Sequence, residues 1–150
     1  MDMSLEKYAQ LKLEGQLCFP LYAVSKEVIR QYKPYLEEVD LTYTQYIAMM
    51  VLWEKKEMNV KALGSSLYLD SGTLTPLLKK LEAKGYITRN RCKTDERNLI
   101  ITITEEGEAL KEKVAHIPYE LAKNVDLTHE EALQLYKLLY KLLGNIKEQI

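Results

Sequence analysis

Apolar residues recur at helical spacing along most of the chain, and the pattern changes once, after Gly85, into two segments rich in β-branched residues. These two observations predict a mostly α-helical fold carrying a small β-ribbon. A third is composition: 150 residues, 47% hydrophobic and 29% charged, predict one globular domain with an ordinary core, not a disordered or collagen-like chain.

Leu5, Tyr8, Leu11, Leu17, Leu21, Val24 and Val28 share a helical repeat, so residues 5–32 are expected to form one long or slightly broken helix with Gly15 as a soft point. Tyr32-Lys33-Pro34 is expected to end it, because proline disfavours the helical state of the residue before it. A second helix opens at Thr42–Thr44 and runs through Trp53, apolar on nearly all sides and therefore buried. Asn59 suits the cap of a short helix with Val60, Leu63 and Leu67 on one face. From Asp70 or Ser71 a further helix aligns Leu74, Leu77, Leu78 and Leu81, and Gly85 stops it.

Tyr86-Ile87-Thr88-Arg89 and Leu99-Ile100-Ile101-Thr102-Ile103-Thr104 then flank a polar hairpin, giving a two-stranded ribbon with a charged tip. Thr104-Glu105-Glu106-Gly107 opens a helix with Leu110, Val114 and Ile117 on one face and a bend at Pro118. Thr128 and Glu131 form a capping box for the last helix. That helix carries Leu135, Leu138, Leu139, Leu142 and Ile146, and a second stripe of Leu133, Tyr136, Tyr140 and Leu143. Two apolar stripes exceed what one contact face needs, so the surplus predicts a subunit interface.

The longest apolar stretch, Tyr46 to Trp53, is far short of the roughly 18 residues of a membrane helix. The first residues carry both charge signs without the apolar run of a signal peptide. Two cysteines cannot build a disulfide framework. A reducing, cytoplasmic setting without a membrane partner is therefore expected. The net charge of −1 conceals an asymmetry: residues 55–97 carry ten Lys/Arg against five acids, while the remainder is acidic. A basic middle between acidic flanks suits a polyanionic partner.

Helix, turn, helix and ribbon in succession make a winged helix-turn-helix. The reading is one domain over 1–150, with the winged unit at 40–105 and dimerisation helices at 5–36 and 106–150. Helix 70–84 turns Gly72, Thr75, Pro76, Lys79, Lys80 and Ala83 away from its leucines, a surface able to approach a major groove. The hairpin adds Arg89, Arg91, Lys93 and Arg97, suited to phosphate or minor-groove contact. A solvated helix and an ordinary charged hairpin would show many of the same residues; ribbon and charge asymmetry together favour double-stranded DNA. Pro76 is compatible only within the first turn and a half of the helix.

Cys18 lies one helical turn before Tyr22, and on its residues alone the reading that leads is a small hydrophobe filling a helix interface. Cys92 sits between Arg91 and Lys93, where neighbouring cations would favour a thiolate but exposure suits a neutral surface role as well. Eleven tyrosines against one phenylalanine suggest that some hydroxyls serve as hydrogen-bond donors, although surface tyrosine is common.

The segments Gln16-Leu17-Cys18-Phe19, Leu21-Tyr22-Ala23, Gln31-Tyr32-Lys33-Pro34, Leu41-Thr42-Tyr43-Thr44-Gln45-Tyr46, Tyr68 through Pro76, and Asp95-Glu96-Arg97 resemble the organic-hydroperoxide-resistance repressors of the MarR family. The resemblance covers nearly the whole chain, weakest at the extreme N-terminus and in 118–132. It implies that Cys18 is the peroxide-sensing cysteine and that the hydroxyls of Tyr22, Tyr32 and Tyr43 surround its sulfur in a homodimer, the latter two hydrogen-bonding it. Hydrogen bonds to a thiolate raise the reactive fraction. It further implies a recognition helix presenting Ser71, Thr73, Thr75, Pro76 and Lys79 to a pseudo-palindromic operator. Arg97 would enter the minor groove with Asp95 orienting it.

No cysteine occurs between 105 and 150, so the chain resembles the one-cysteine branch, in which organic hydroperoxides are the signal and the sulfenic acid is capped by a small-molecule thiol or over-oxidised. The related thiol-based global regulators of virulence and metabolism share the same motifs. A repressor gated by phenolic ligands and, more remotely, a thiol peroxidase are the other readings. No Cys-x-x-Cys, phosphate-cradling glycine loop or complete zinc motif is present, so no catalytic residue, metal or cofactor is expected.

Overall fold

The computed structural model describes residues 7–95 and 97–149, with side chains described through 145. Leu5, Glu96 and the Ile146 side chain, each part of a sequence expectation, lie outside the described residues. The chain divides into two compact units, one ending at Ile117 and the other beginning at Pro118.

In the first unit, short 3-10 turns at Ala9–Leu11 and Leu13–Gly15 precede helix α1, Cys18–Glu37. Of the two forms expected, the broken one is found: the α-helix begins only after Gly15, and the described residues before it make 3-10 turns. The side chains of 7–15 are exposed, so no packing offsets the cost of propagating a helix through Gly15. Nor does Pro34 end α1. It forfeits only the bond to the Arg30 carbonyl, and buried Leu36 anchors the turn beyond it. The helix reverses at Asp40, whose φ is 51°, where the Leu41 N–H donates back to the Leu36 carbonyl at 2.9 Å.

Helix α2, Tyr43–Lys55, starts on a full capping box: Thr42 Oγ1 accepts the Gln45 N–H and Gln45 Oε1 accepts the Thr42 N–H. This satisfies Gln45, the one buried polar side chain of the described core. Ala48, Met49 and Leu52 have no exposed surface, but Met50 is exposed, so the helix is buried on most sides and not all round as its apolar pattern suggested. The Asn59 side chain caps α3, Val60–Leu67, by accepting the Ala62 N–H. Helix α4, Ser71–Ala83, buries Leu74, Leu77, Leu78 and Leu81, and Gly85 follows it at φ +81°.

The ribbon strands are β2, Ile87–Arg91, and β3, Leu99–Ile103. They belong to a three-stranded antiparallel sheet, not the two-stranded ribbon expected, because β1, Glu57–Asn59, pairs with the free side of β3, Met58 opposite Ile101. Beyond the sheet, α5 (Glu105–Ala109), α6 (Lys111–Val114) and α7 (Ile117–Ala122) replace the single helix expected before Pro118. Leu110, Val114 and Ile117 are nevertheless buried, so the shared face survives the interruptions.

In the second unit the Thr128–Glu131 box closes reciprocally and opens α8, His129–Gln149. Leu133, Leu135, Tyr136, Leu138, Leu139, Tyr140 and Leu143 are all exposed on it. Among the described residues no helix is long and apolar enough to cross a membrane.

Gly107 is the tightest point of the first unit. Its carbonyl accepts the Trp53 indole N–H at 2.8 Å, and a Cβ there would stand 2.2 Å from the Tyr86 carbonyl oxygen. Gly107→Ala is expected to destabilise the fold by about 1–3 kcal/mol, because the obstacle is backbone that must shift. Gly15→Ala, with open space around it, is expected to change stability by no more than about 0.5 kcal/mol. Urea denaturation of both variants checks this.

Candidate nucleic-acid interface and thiol site

The exposed side of α4 is set by its cap and its leucines. Asp70 Oδ1 accepts the Thr73 N–H at 2.8 Å, fixing the first turn, and the four leucines hold the opposite face inward. Ser71, Thr73, Thr75, Pro76 and Lys79 are thereby exposed together. Pro76 is the sixth residue of α4 and withholds a bond only from the Gly72 carbonyl, on the exposed side, so the helix continues.

At the ribbon tip, Asp95 Oδ1 accepts the backbone N–H of Arg97 and the Asp95 carbonyl accepts that of Asn98, both at 3.0 Å. The Asn98 carbonyl takes the Cys92 N–H at 2.7 Å. Asp95 thus orients Arg97 through the main chain. Arg91, Lys93 and Arg97 are exposed around this tied turn.

Arg89 behaves differently from its neighbours. Its guanidinium donates to Glu82 Oε1 at 2.9 and 3.1 Å, and its backbone N–H donates to Glu82 Oε2 at 3.1 Å. These bonds hold the Glu82 carboxyl below the usual carboxylate range. A lowered folded value means the clamp is complete above the ordinary range and is lost only as pH falls through the lowered one. Arg89, grouped by sequence with the DNA-facing bases, instead ties α4 to β2. Sequence gave no warning, because Glu82 lies seven positions away on another element.

The Cys92 sulfur is 3.1 Å from the Thr94 hydroxyl. That bond, followed by the main chain of Thr94 and Asp95, holds the thiol below its usual value. The expected cause, the flanking Arg91 and Lys93, is not the operative one.

Cys18 opens α1 and is exposed, as is Tyr22 one turn on. Tyr32 lies near the other end of α1, half-buried against the rings of Tyr43 at 4.9 Å and Tyr46 at 5.7 Å. Burial raises the hydroxyl pKa of all three, reinforced at Tyr32 by Tyr43, so each stays a neutral donor at physiological pH. Tyr46 was not singled out in the sequence, although its spacing of three from Tyr43 on one helix signals a shared face. Within one chain the site is not assembled. Fourteen helical positions from Cys18 to Tyr32 span about 21 Å, and α1 is rigid between them.

The family described as transcriptional regulator SarA/Rot matches residues 30–114. An organic hydroperoxide resistance transcriptional regulator of Bacillus subtilis (strain 168) is 47% identical over 143 residues, 95% of this chain and 97% of the relative. The HTH-type transcriptional regulator SarZ of Staphylococcus saprophyticus is 46% identical over 137 residues, 91% and 94% of the two chains. Among solved structures, reduced AbfR bound to DNA superposes with a TM-score of 0.80 at 33% identity, covering 95% of this chain and 98% of that one. With this identity over nearly the whole length of both chains, the chain belongs to the MarR family of winged-helix regulators, in the branch of the organic hydroperoxide resistance regulators.

Proposed function

We propose that the protein is a peroxide-sensing repressor: its reduced homodimer binds a pseudo-palindromic operator and releases it when Cys18 is oxidised. The observation carrying this reading is the 21 Å ruler of α1. Cys18 with Tyr22 occupies one end and Tyr32 with Tyr43 the other, a separation of about fourteen residues at 1.5 Å each. A thiol and its hydroxyl donors so placed meet only between two copies. Leu17 just before α1 and Phe19, Tyr22, Val24, Val28 and Ile29 on it are exposed, as are apolar residues of α8, which supports a dimer that covers them.

The chemistry follows from the side chains. The Cys18 thiolate attacks one peroxide oxygen, the O–O bond breaks, and sulfur loses two electrons as the hydroperoxide is reduced to its alcohol, which takes up a proton. The sulfenic acid then condenses with a small thiol, forming an S–S bond and releasing water. Tyr32 and Tyr43 hydroxyls suited to a compact anion do not fit the larger products equally well. Two dimer geometries of different stability in the two redox states follow, and only one sets the α4 helices about one DNA turn apart. Ser71, Thr73, Thr75, Pro76 and Lys79 face the major groove in this reading, while Arg91, Lys93 and Arg97 contact backbone and minor groove. Arg89 supports them from its clamp.

Sedimentation of the reduced protein at micromolar concentration is expected to give a dimer; a stable monomer contradicts the reading. Arg97→Ala is expected to weaken operator binding by about 1–3 kcal/mol, and Lys93→Ala to lower the salt slope by about one. Titrations at several salt concentrations separate the two. Cys18→Ser is expected to bind operator and ignore cumene hydroperoxide, and Cys92→Ser to remain responsive. Tyr32→Phe is expected to slow Cys18 oxidation while leaving reduced-state binding nearly intact, measured by stopped flow and gel shift. The reverse pattern for the two cysteine variants would place the switch in the wing, and release of Cys18→Ser by a phenolic compound would make the protein ligand-gated.

A further inference from the structure

A cleft of about 810 Å³ opens where α1 turns into α2 and the end of α4 comes alongside. Its floor includes Ile29, Leu36 and Leu41, and its wall reaches Tyr43. Five cations line it, Lys26, Arg30, Lys33, Lys80 and Lys84, against two acids, Glu37 and Asp40. Asp40 pairs with Lys84 at 3.3 Å, and Glu37 makes a loose 3.7 Å contact with Lys33. Arg30 has only a loose 3.6 Å contact with solvent-exposed Glu27. Lys26 and Lys80 have no ion-pair partner among the described residues. The cleft therefore holds uncompensated positive charge above an apolar floor, in a volume suited to a small molecule.

Its place argues against a duplex phosphate as the occupant. Lys80 adjoins the groove-facing Lys79, but Lys26, Arg30 and Lys33 belong to α1, and Lys84 lies thirteen positions from Ser71, about 20 Å along, where Asp40 takes it up. Tyr43 gives the cleft a different neighbour. If the functional reading above holds, the partner subunit's Cys18 lies beside Tyr43, so a molecule reacting with that sulfur has this cation-lined volume at its side.

We propose that the cleft is the carboxylate-binding subsite for the small thiol that caps Cys18. An anionic low-molecular-weight thiol seats its carboxylates against Lys26, Arg30 and Lys80, lays its carbon chain on the apolar floor and presents its sulfur past Tyr43. The thiol sulfur then bonds to the sulfenic sulfur, and the sulfenic oxygen leaves as water with the thiol proton. The inference rests on the redox reading and adds to it a charge preference for the capping thiol.

The test uses full-length dimer carrying Cys92→Ser, oxidised with one equivalent of cumene hydroperoxide and then mixed with mercaptosuccinate or with neutral 2-mercaptoethanol. Capping is followed by mass spectrometry of the Cys18 adduct. Lys26→Gln with Arg30→Gln is expected to slow mercaptosuccinate capping by roughly tenfold, as for two lost charge contacts at a solvent-facing site, and to leave 2-mercaptoethanol capping unchanged. Lys26→Arg with Arg30→Lys is expected to retain the wild-type rate. Added salt is expected to slow the anionic thiol alone. Equal slowing of both thiols, or of neither, overturns the proposal while leaving the redox reading intact. The same holds if the charge-removing pair slows only oxidation by a carboxylate-bearing hydroperoxide, which assigns the cleft to the oxidant. Absence of any Cys18 adduct overturns both.

Discussion

The first unit is organised by the burial of α2. Ala48, Met49 and Leu52 stand at zero exposure and only the edge of α2 at Met50, Glu54 and Lys55 meets solvent, so its neighbours must arrange themselves around the rest. Tyr46 meets Tyr32 of α1 on one side, and the edge of the Trp53 ring on its own helix on another. Trp53 in turn donates to the Gly107 carbonyl at the start of α5, where only glycine fits beneath Tyr86. The tyrosines proposed to surround the thiol and the backing of the winged unit are thus parts of one close-packed body. Close packing transmits displacement, because a core of interlocked side chains has few intermediate arrangements.

Polar links continue that body to its surface. Lys84, at the end of α4, pairs with Asp40 at the corner between α1 and α2. Glu82, two residues earlier, clamps Arg89 of the ribbon. Helix α4 is therefore tied at its C-terminal end both to the helix carrying the tyrosines and to the wing, while its N-terminal end is left clear for a partner. A change in how α1 meets a second copy has a short path to the orientation of α4 and the wing together. The exposed ion pairs contribute little stability by themselves, and their consequence is geometric.

Local signals were legible in the sequence and distant ones were not. Asn59, Asp70, Gly85 and the Thr128–Glu131 box act within a few residues, and each stands where its spacing placed it. Strand β1 was missed because Glu57-Met58-Asn59 has no β-branched residue; it becomes a strand only through pairing with β3, more than forty residues later. The proline rule misplaced the end of α1 because Leu36 packing and the Asp40 turn, both tertiary, outweigh a single lost bond. Arg89 looked like its basic neighbours for the same reason: charge shows in sequence, and the partner that takes it up does not. The candidate site was legible as identities, Cys18, Tyr22, Tyr32 and Tyr43, carried by resemblance. The helical spacing already set Cys18 and Tyr32 about four turns apart, whereas the packing of Tyr43 and Tyr46 from α2 against Tyr32 needed the structure.

The separation of Cys18 from Tyr32 has a consequence for how sensing and binding are joined. In the isolated chain Cys18 is an exposed thiol with no tyrosine from the far end of α1 within reach. If the hydroxyls that favour its anion come from a second copy, rapid reaction with peroxide belongs to the dimer and not to the monomer. The dimer is also the state in which two α4 helices can address two half-sites. Reactivity and operator binding would then depend on one interface, so the species that reads DNA is the species primed to be oxidised. A thiol buried within a single chain would report peroxide whether or not the protein could bind, whereas a thiol completed by the partner confines the signal to molecules able to act on it.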